Sequence, residues 1–428
     1  MERIREKRYY RLTFSLASPL SVSSGKNENT DRDVMTDVCG DPYIPASAVA
    51  GVCRSQFEKD TSHSFGFVQI ADRANMETDA EESRILFYDA RMTGKTGRFH
   101  VSARDSVALD EYKTAKEGAK FDMEVVEPGT EFVTFIEQNV LEQDDEETAN
   151  TGDEVAGYWL GEGLSFGGKT TRGYGRIENV AVKRKVFNMA TDAERWLSFD
   201  MYDEKCWEDA KTVSKEEGKV KDQSLVLELN QAGGISIRKY TTRVPEKEGD
   251  SEPDFEQLTA RVSGKDGEKT VPVIPGTTWA GAFSHRMAEL VPACKEGNLF
   301  GIVSENEKVK SHISFSETQL YGGYNKVMTR NAIDRFTGGA ADSALFTESS
   351  YYGGTGKLTI TVEKGYMTAE VKRALAAAVA DLHNGFLAVG GMTSVGRGLF
   401  RVVSVNGKHV SDDNLFGAVM GELKEDKG

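Results

Sequence analysis

Near the N-terminus Tyr10, Leu12, Phe14 and Leu16 alternate with Arg11, Thr13 and Ser15, the period of a strand with one buried face. The same period returns at Leu225, Leu227 and Leu229. Each stretch is followed, after a long loop and a Pro-x-Ile-Pro segment, by apolar residues at helical spacing. These are Val49, Val52, Cys53 and Phe57 in one place, and Trp279, Phe283, Met287 and Leu290 in the other. Ser47 and Thr277 stand where a hydroxyl would cap these helices. A further helix follows from Val371, Leu375, Ala378 and Leu382 and ends at Gly385. Its counterpart around Val155, Tyr158 and Trp159 reads as a turn or two.

The pattern therefore occurs twice, and the chain resembles itself in detail. Gly167-Gly168-Lys169-Thr170-Thr171-Arg172-Gly173-Tyr174-Gly175-Arg176-Ile177 aligns with Gly390 to Phe400, 223 residues on, with four glycines and a Thr in common. Pro42 to Gly51 aligns with Pro272 to Gly281 at an offset of 230. Between these anchors Phe65-Gly66-Phe67-Val68 answers Phe300-Gly301-Ile302-Val303, and Ala108-Leu109-Asp110 answers Ala332-Ile333-Asp334. Motifs in one order at a nearly constant offset predict a duplicated domain of about 200 residues. The halves are 1–187 and 222–428, joined by a helical, charged connector at 188–221. The connector's Trp196 and Trp207 are expected to seat on a neighbouring domain, and its tail, 211–221, to be exposed. Strand, helix, extended strands, helix, Gly-rich turn and final strand give an α+β class, compatible with a βαββαβ, ferredoxin-like plan in each half. Residues 113–121 and 336–346 carry Gly and charge rather than an apolar period and read as inserted hairpins leaving the sheet.

Composition narrows the class. With 428 residues, 39% hydrophobic and 28% charged, the chain is long enough for two or three globular domains. It has no apolar run of membrane-spanning length, and the start, Met1 to Arg8, is charged, so a cytoplasmic protein without a membrane partner is expected. The four cysteines form no CxxC and the six histidines no HExxH, which argues against a disulfide framework or a structural zinc. The net charge of −15 argues against indiscriminate nucleic-acid binding, so any such contact must be local. The acid gathers at 79–82, 142–147 and 246–256, which read as solvated loops.

One motif is a trap. Gly163 to Thr170 satisfies GxxxxGK[ST], the phosphate-binding P-loop pattern, which needs a helix starting at the Lys-Thr. Two more glycines and a strand-like Ile177, Val180, Val182 follow instead, and Met392 replaces the lysine in the duplicate. The match is expected to be accidental, with no nucleotide bound. Both Gly-rich loops read either as tight turns or as places where glycine N–H groups approach a phosphodiester. In the second reading Lys169, Arg172, Arg176, Arg397 and Arg401 supply positive charge.

The ordered set resembles the RAMP (repeat-associated mysterious protein) superfamily, specifically backbone subunits of type III CRISPR effector complexes. It is carried by Pro42 to Ser47, by Glu127 to Phe132, by Arg330 to Ala340 with Ala344-Leu345-Phe346, and by the two Gly-rich loops. Two such domains in tandem are similar to the arrangement in type III-D-like complexes. The resemblance implies an RNA-recognition-like fold with a protruding hairpin, stacked along a guide (CRISPR) RNA beside other RAMP subunits and a large subunit. It implies RNA contact by Gly167, Gly168, Lys169, Thr170, Arg172 and Arg176, by Gly390, Gly391, Arg397 and Arg401, and by Arg54. The first helix departs from the family, with Ala50 and Val52, and Ala280, Ala282 and Ser284, at positions often basic. Members with an acidic residue in the first long loop cut the paired target RNA as endoribonucleases in antiviral defense. The positions that match are Asp31, with Asp33 as the alternative, and Asp254, each holding Mg2+ or another divalent metal. Two other readings stand beside this one, a non-catalytic guide-RNA scaffold and a guide-precursor processing endonuclease.

Overall fold

The alternating N-terminal stretch forms the middle strand of a sheet. A computed structural model describes residues 3–23, 30–57, 62–72, 77–94, 100–109, 115–161, 164–214, 223–240, 253–264, 267–292, 294, 299–303, 308–411 and 414–425. The chain divides into two compact units, one comprising Met1–Thr170 with Tyr174–Lys221, the other Thr171–Gly173 with Asp222–Gly428. Both mix strands and helices, so the protein is α+β. Most of the acidic run at 246–256 and of the tail at 211–221 lies outside the described residues.

The first unit runs β1 (Ile4–Leu16), α1 (Ala46–Ser55), β2 (Ile85–Phe87), β3 (Ala90–Met92), a hairpin of β4 (Val101–Leu109) and β5 (Ala115–Val126), then β6 (Glu131–Leu141), α2 (Glu146–Leu160), β7 (Ile177–Asn188) and β8 (Lys211–Thr212). Its main sheet has the order β8-β7-β1-β6-β3, ending at Tyr43–Ile44, with β2 also on β6. β1 lies antiparallel to both neighbours. Tyr10, Leu12, Phe14 and Leu16 are buried with Val49 and Cys53 of α1 and Val155, Ala156 and Trp159 of α2.

The second unit runs β9 (Gln223–Gln231), β10 (Phe255–Gln257), α3 (Gly276–Leu290), β11 (Ile313–Phe315), a hairpin of β12 (Tyr324–Ile333) and β13 (Ala340–Tyr352), then β14 (Thr355–Val362), α4 (Ala369–Asn384), β15 (Phe400–Val405) and β16 (Lys408–His409). Its sheet order is β11-β14-β9-β15-β16. In both sheets the first strand sits between the strand that precedes the second long helix and the strand that follows it. The hairpins leave these sheets: β4 and β5 pair as a separate sheet, and β12 and β13 join β10 and Arg238–Tyr240 in another. Leu225, Leu227 and Leu229 pack with Trp279, Phe283 and Met287 of α3 and with the apolar stripe of α4. α4 starts at Thr368, whose side chain accepts from Val371 N–H, and stops at Gly385 with φ 82°.

Two expectations need correction. The caps of α1 and α3 are Pro45 and Pro275 and make no side-chain cap bond, so Ser47 and Thr277 lie inside the first turn. The N–H of Ala46 is satisfied instead by Asp89 Oδ1, at 2.8 Å. α2 is a 15-residue helix rather than a turn or two. It begins in the acidic stretch, where Asp145 accepts from Thr148 N–H, and it buries Ala149, Thr151, Gly152 and Ala156. A Cβ on Gly152 would lie 2.8 Å from the Tyr10 hydroxyl, so the first half of this helix presses small residues against the sheet, and its large buried residues, Val155, Trp159 and Leu160, come only in the second half.

As expected of the connector, residues 188–214 seat their two tryptophans on a neighbouring domain, the sheet formed by residues before 188. Trp207 is fully buried with Tyr9, Phe135 and Phe187, and Trp196, Phe199 and Met201 pack around them. Trp196 Nε1 donates to the Tyr9 hydroxyl at 2.8 Å. The cause lies in β1, β6 and β7, whose outward positions include the aromatic Tyr9, Phe135 and Phe187 and so require a cover. The outward Glu228 and Asn230 of β9 are exposed polar residues that need none.

Candidate nucleic-acid interface

The two Gly-rich loops share one backbone design. Gly168 and Gly391 donate their N–H to the carbonyls of Ser21 (2.7 Å) and Ser236 (2.9 Å). Gly175 and Gly398 donate theirs to Pro19 (2.7 Å) and Gly234 (2.8 Å). A Cβ on either of this second pair would lie 1.9 Å from a carbonyl oxygen, of Phe166 or Val389, which is why both are glycine. Lys169 and Met392 occupy the same left-handed position, at φ 59° and 58°. A single 3-10 turn follows each, Thr170–Arg172 and Thr393–Val395. The N–H groups of Gly168 and Gly391 are therefore engaged inside their own unit. No P-loop helix starts at Lys169-Thr170, because the next glycines are needed for the close backbone approach.

Side chains carry the positive charge that these loops can offer. Arg172 is exposed and Arg176 and Thr170 are half-buried; Gly167 and Gly390 lie at the surface. Arg54 is exposed in the last turn of α1, and Arg401 is exposed on β15. Lys169 Nζ reaches Met123 Sδ on β5. Arg397 departs from its expected place at the RNA surface. It is 4% exposed, its Nη2 donates to Glu348 Oε1 of β13 at 2.6 Å, and its guanidinium lies over the Tyr352 ring. Glu348 is 1% exposed, and a carboxylate so deep requires a cation beside it.

The acids of the first loops are held alongside the hairpins. Asp31 is exposed; its N–H donates to Asp122 Oδ1 at 3.0 Å and its Oδ2 accepts from Asp122 N–H at 3.3 Å. Asp254 is exposed too; its N–H donates to the Thr347 carbonyl and its Oδ2 accepts from Thr347 N–H, both at 2.8 Å. Asp122 and Thr347 are equivalent positions. Four residues further along each strand, Val126 bridges to Leu20 and Tyr351 to Ile235. Asp33, the alternative acid, is buried, and its Oδ1 accepts from both the N–H (3.0 Å) and the hydroxyl (2.7 Å) of Thr30. It closes its own turn, an Asx-type role.

In each unit the residue after the acid's partner meets the Gly-rich loop: Met123 meets Lys169, and Glu348 meets Arg397. The acid loop and the Gly-rich loop thus flank the same two residues of a hairpin strand. Asp122, Thr347 and Glu348 carry no local sequence signal, since nothing in the chain links position 31 to 122 or 254 to 347. Among the described residues no three His, Cys, Asp or Glu side chains gather as a metal cluster. Mg2+ asks for less, one or two carboxylates with water and phosphate oxygens completing the shell, and Asp31 beside Asp122 fits that demand.

The second hairpin ends in a built turn. Asp334 Oδ1 accepts from Phe336 N–H (2.9 Å) and Thr337 N–H (2.7 Å), and these bonds hold its carboxyl below the usual carboxylate range. The turn presents Phe336, 98% exposed, at its tip.

The two α+β units, with their Gly-rich loops before the last strand and their outlying hairpins, match one family profile twice. The profile of the RAMP superfamily covers residues 13–178 and 260–401, and the chain belongs to that superfamily. RAMP proteins work with RNA in CRISPR effector complexes, so this is a CRISPR-associated, RNA-binding effector subunit. No curated protein matches the chain. No described helix is long and apolar enough to cross a membrane.

Proposed function

We propose that each unit is a ferredoxin-like RAMP domain and that the chain is a tandem backbone subunit of a type III, III-D-like, effector complex. It holds guide RNA, admits a complementary target RNA and cuts that target at two places. The observation that carries this reading is the shared station of Asp31 and Asp254 on equivalent hairpin strands. In both cases one carboxylate oxygen is tied to the backbone and the residue is exposed. The reaction needs no base from the protein side of the kind histidine supplies. The 2′-OH of the target attacks the adjacent phosphorus, the 5′-oxygen of the next nucleotide leaves with a proton, and a 2′,3′-cyclic phosphate and a 5′-OH result. A divalent ion held at Asp31 and Asp122, or at Asp254, would supply charge stabilisation at the phosphate.

Guide contact falls to side chains. Lys169, Arg172 and Arg176 in the first loop, Arg401 on β15 and Arg54 on α1 are the donors, since the Gly168 and Gly391 N–H groups are engaged. The scaffold reading is favoured by one observation confined to the second unit, where Thr347 stands in place of Asp122 and leaves Asp254 the single carboxylate of its pair. The deciding experiment is cleavage of complementary RNA by the assembled complex carrying Asp31→Ala, Asp254→Ala, or both. Undiminished cutting by the double variant leaves the scaffold alone.

A further inference from the structure

The cover over the first sheet is incomplete at one end. There a cavity of about 190 Å3 remains, lined by Tyr88, Asp89, Arg91, Val133, Phe135 and Tyr202, all within the first unit. Its floor follows from strand alternation. Ala90 and Met92 of β3 face the helices, so Arg91 between them faces outward, opposite Val133 of β6. Phe135 shares that face two residues along. Tyr202 comes from the cover, on a turn fixed by its N–H to Asp200 Oδ1 at 2.9 Å. Its ring stands 5.2 Å from that of Phe135 at 74°, yet 63% of the residue remains exposed. Tyr88 is held by its hydroxyl, which donates to Glu137 Oε2 at 3.1 Å.

We propose that this cavity takes one nucleobase of single-stranded RNA, stacked on Tyr202, with its phosphate at Arg91. The inference rests on the RNA-binding reading of the chain and adds a base-sized site remote in sequence from both Gly-rich loops. A space of this size is smaller than the 300–1,000 Å3 typical of drug-sized ligands and suits a single ring system. The exposed Tyr202 offers that ring a π-face, which every base can use, beside the lining Tyr88 and Phe135. The exposed guanidinium of Arg91 supplies the local positive charge without which a chain of net charge −15 would repel a phosphate. Asp89, with Oδ1 on the α1 N-terminus, places a carboxylate edge at the rim that can accept from a base amine.

The test uses the full-length protein and a short oligoadenylate bearing one photoreactive 8-azidoadenosine. Anisotropy measures affinity, and mass spectrometry locates the cross-link. Wild type should cross-link at Tyr202 or Tyr88, and Tyr202→Ala should weaken binding about tenfold. Arg91→Gln should weaken it and lower the salt dependence by about 0.7 in log-log slope. Both substituted residues are exposed, so the variants should fold, and unchanged circular dichroism will check this. If wild type binds but Tyr202→Ala binds equally, with cross-links confined to the Gly-rich loops, the cavity site is wrong while RNA binding stands. If wild type binds no RNA, both fall. If Tyr202→Ala keeps RNA affinity but loses a co-purifying subunit, the occupant is a protein and the proposal is overturned.

Discussion

Asp31 and Asp254 stand 223 residues apart, and each fastens its loop to the outlying hairpin in the same way, through the main-chain N–H of Asp122 (3.3 Å) or Thr347 (2.8 Å). Asp33 is two residues from the first of them and points into the protein. The three acids should therefore separate in experiment. Asp31→Ala should remove one target cut and Asp254→Ala the other, each with target binding retained, products ending in 2′,3′-cyclic phosphate, and EDTA stopping both. Asp33→Ala should leave the cutting pattern intact and lower stability by about 1 kcal/mol, the worth of its turn bonds. Denaturing gels and thermal melts measure the two effects.

The loop glycines should prove structural. Gly175→Ala or Gly398→Ala places a Cβ 1.9 Å from a carbonyl oxygen and also strains a positive φ, so each should cost about 2–4 kcal/mol in denaturant unfolding. Met392→Gly should do the reverse. It relieves a left-handed backbone worth about 1–2 kcal/mol, less the extra freedom glycine brings to the unfolded chain.

How far the sequence reaches is clear from these same elements. α4 was legible in its apolar face and its end, because Val371, Leu375, Ala378 and Leu382 keep the helical period and Gly385 stops it; its Thr368 cap came from the structure. The first half of α2 was not, because close packing over Tyr10 there puts Ala, Thr and Gly on the buried face. The Gly-rich repeats were visible as a pattern, but their reason, backbone running against the Phe166 and Val389 carbonyls, exists only in three dimensions. Asp254 could be aligned with Asp31 only loosely from sequence; its bonds to Thr347, like those of Asp31 to Asp122, exist only in three dimensions. Arg397 looked like its charged neighbours, and its burial depended on Glu348, 49 residues away.

Arg397 should accordingly behave as a core residue. Arg397→Ala removes the nearer of Glu348's two cations, leaving only Arg330 Nη2 at 3.8 Å, and should cost about 3 kcal/mol. Arg397→Met with Glu348→Leu should recover most of that loss. RNA content per folded molecule should be unchanged in the double variant, whereas it should fall in Arg172→Ala. Urea unfolding and the absorbance ratio at 260 and 280 nm read out the two quantities.

The cover at 188–214 should be indispensable to the first unit. Trp207 is completely buried among Phe135, Phe187 and Phe199, so Trp207→Ala should cost about 3–5 kcal/mol. Leu197→Ser, on the same segment but 77% exposed, should change stability by less than about 0.5 kcal/mol. Equal losses from both would mean that this segment does not lie on the sheet as described.

The last prediction concerns how the guide is held. Were glycine N–H groups the main contacts, removing nearby charge would change affinity little, and retention would depend weakly on salt. The N–H groups of Gly168 and Gly175 are instead given to Ser21 and Pro19, and those of Gly391 and Gly398 to Ser236 and Gly234. On the proposed reading, Lys169, Arg172, Arg176, Arg401 and Arg54 each neutralise a guide phosphate and release its counterion. On single strands every such contact contributes about −0.7 to the slope of log affinity against log salt. Lys169→Ala with Arg172→Ala should therefore flatten that slope by about 1.4 and weaken binding across guide sequences alike, because phosphates carry no sequence information. Arg397→Met with Glu348→Leu should leave the slope untouched. Titration of a labelled guide RNA between low and physiological salt distinguishes the cases, and an unchanged slope in the Lys169 and Arg172 variant would assign guide binding to some other surface of the chain.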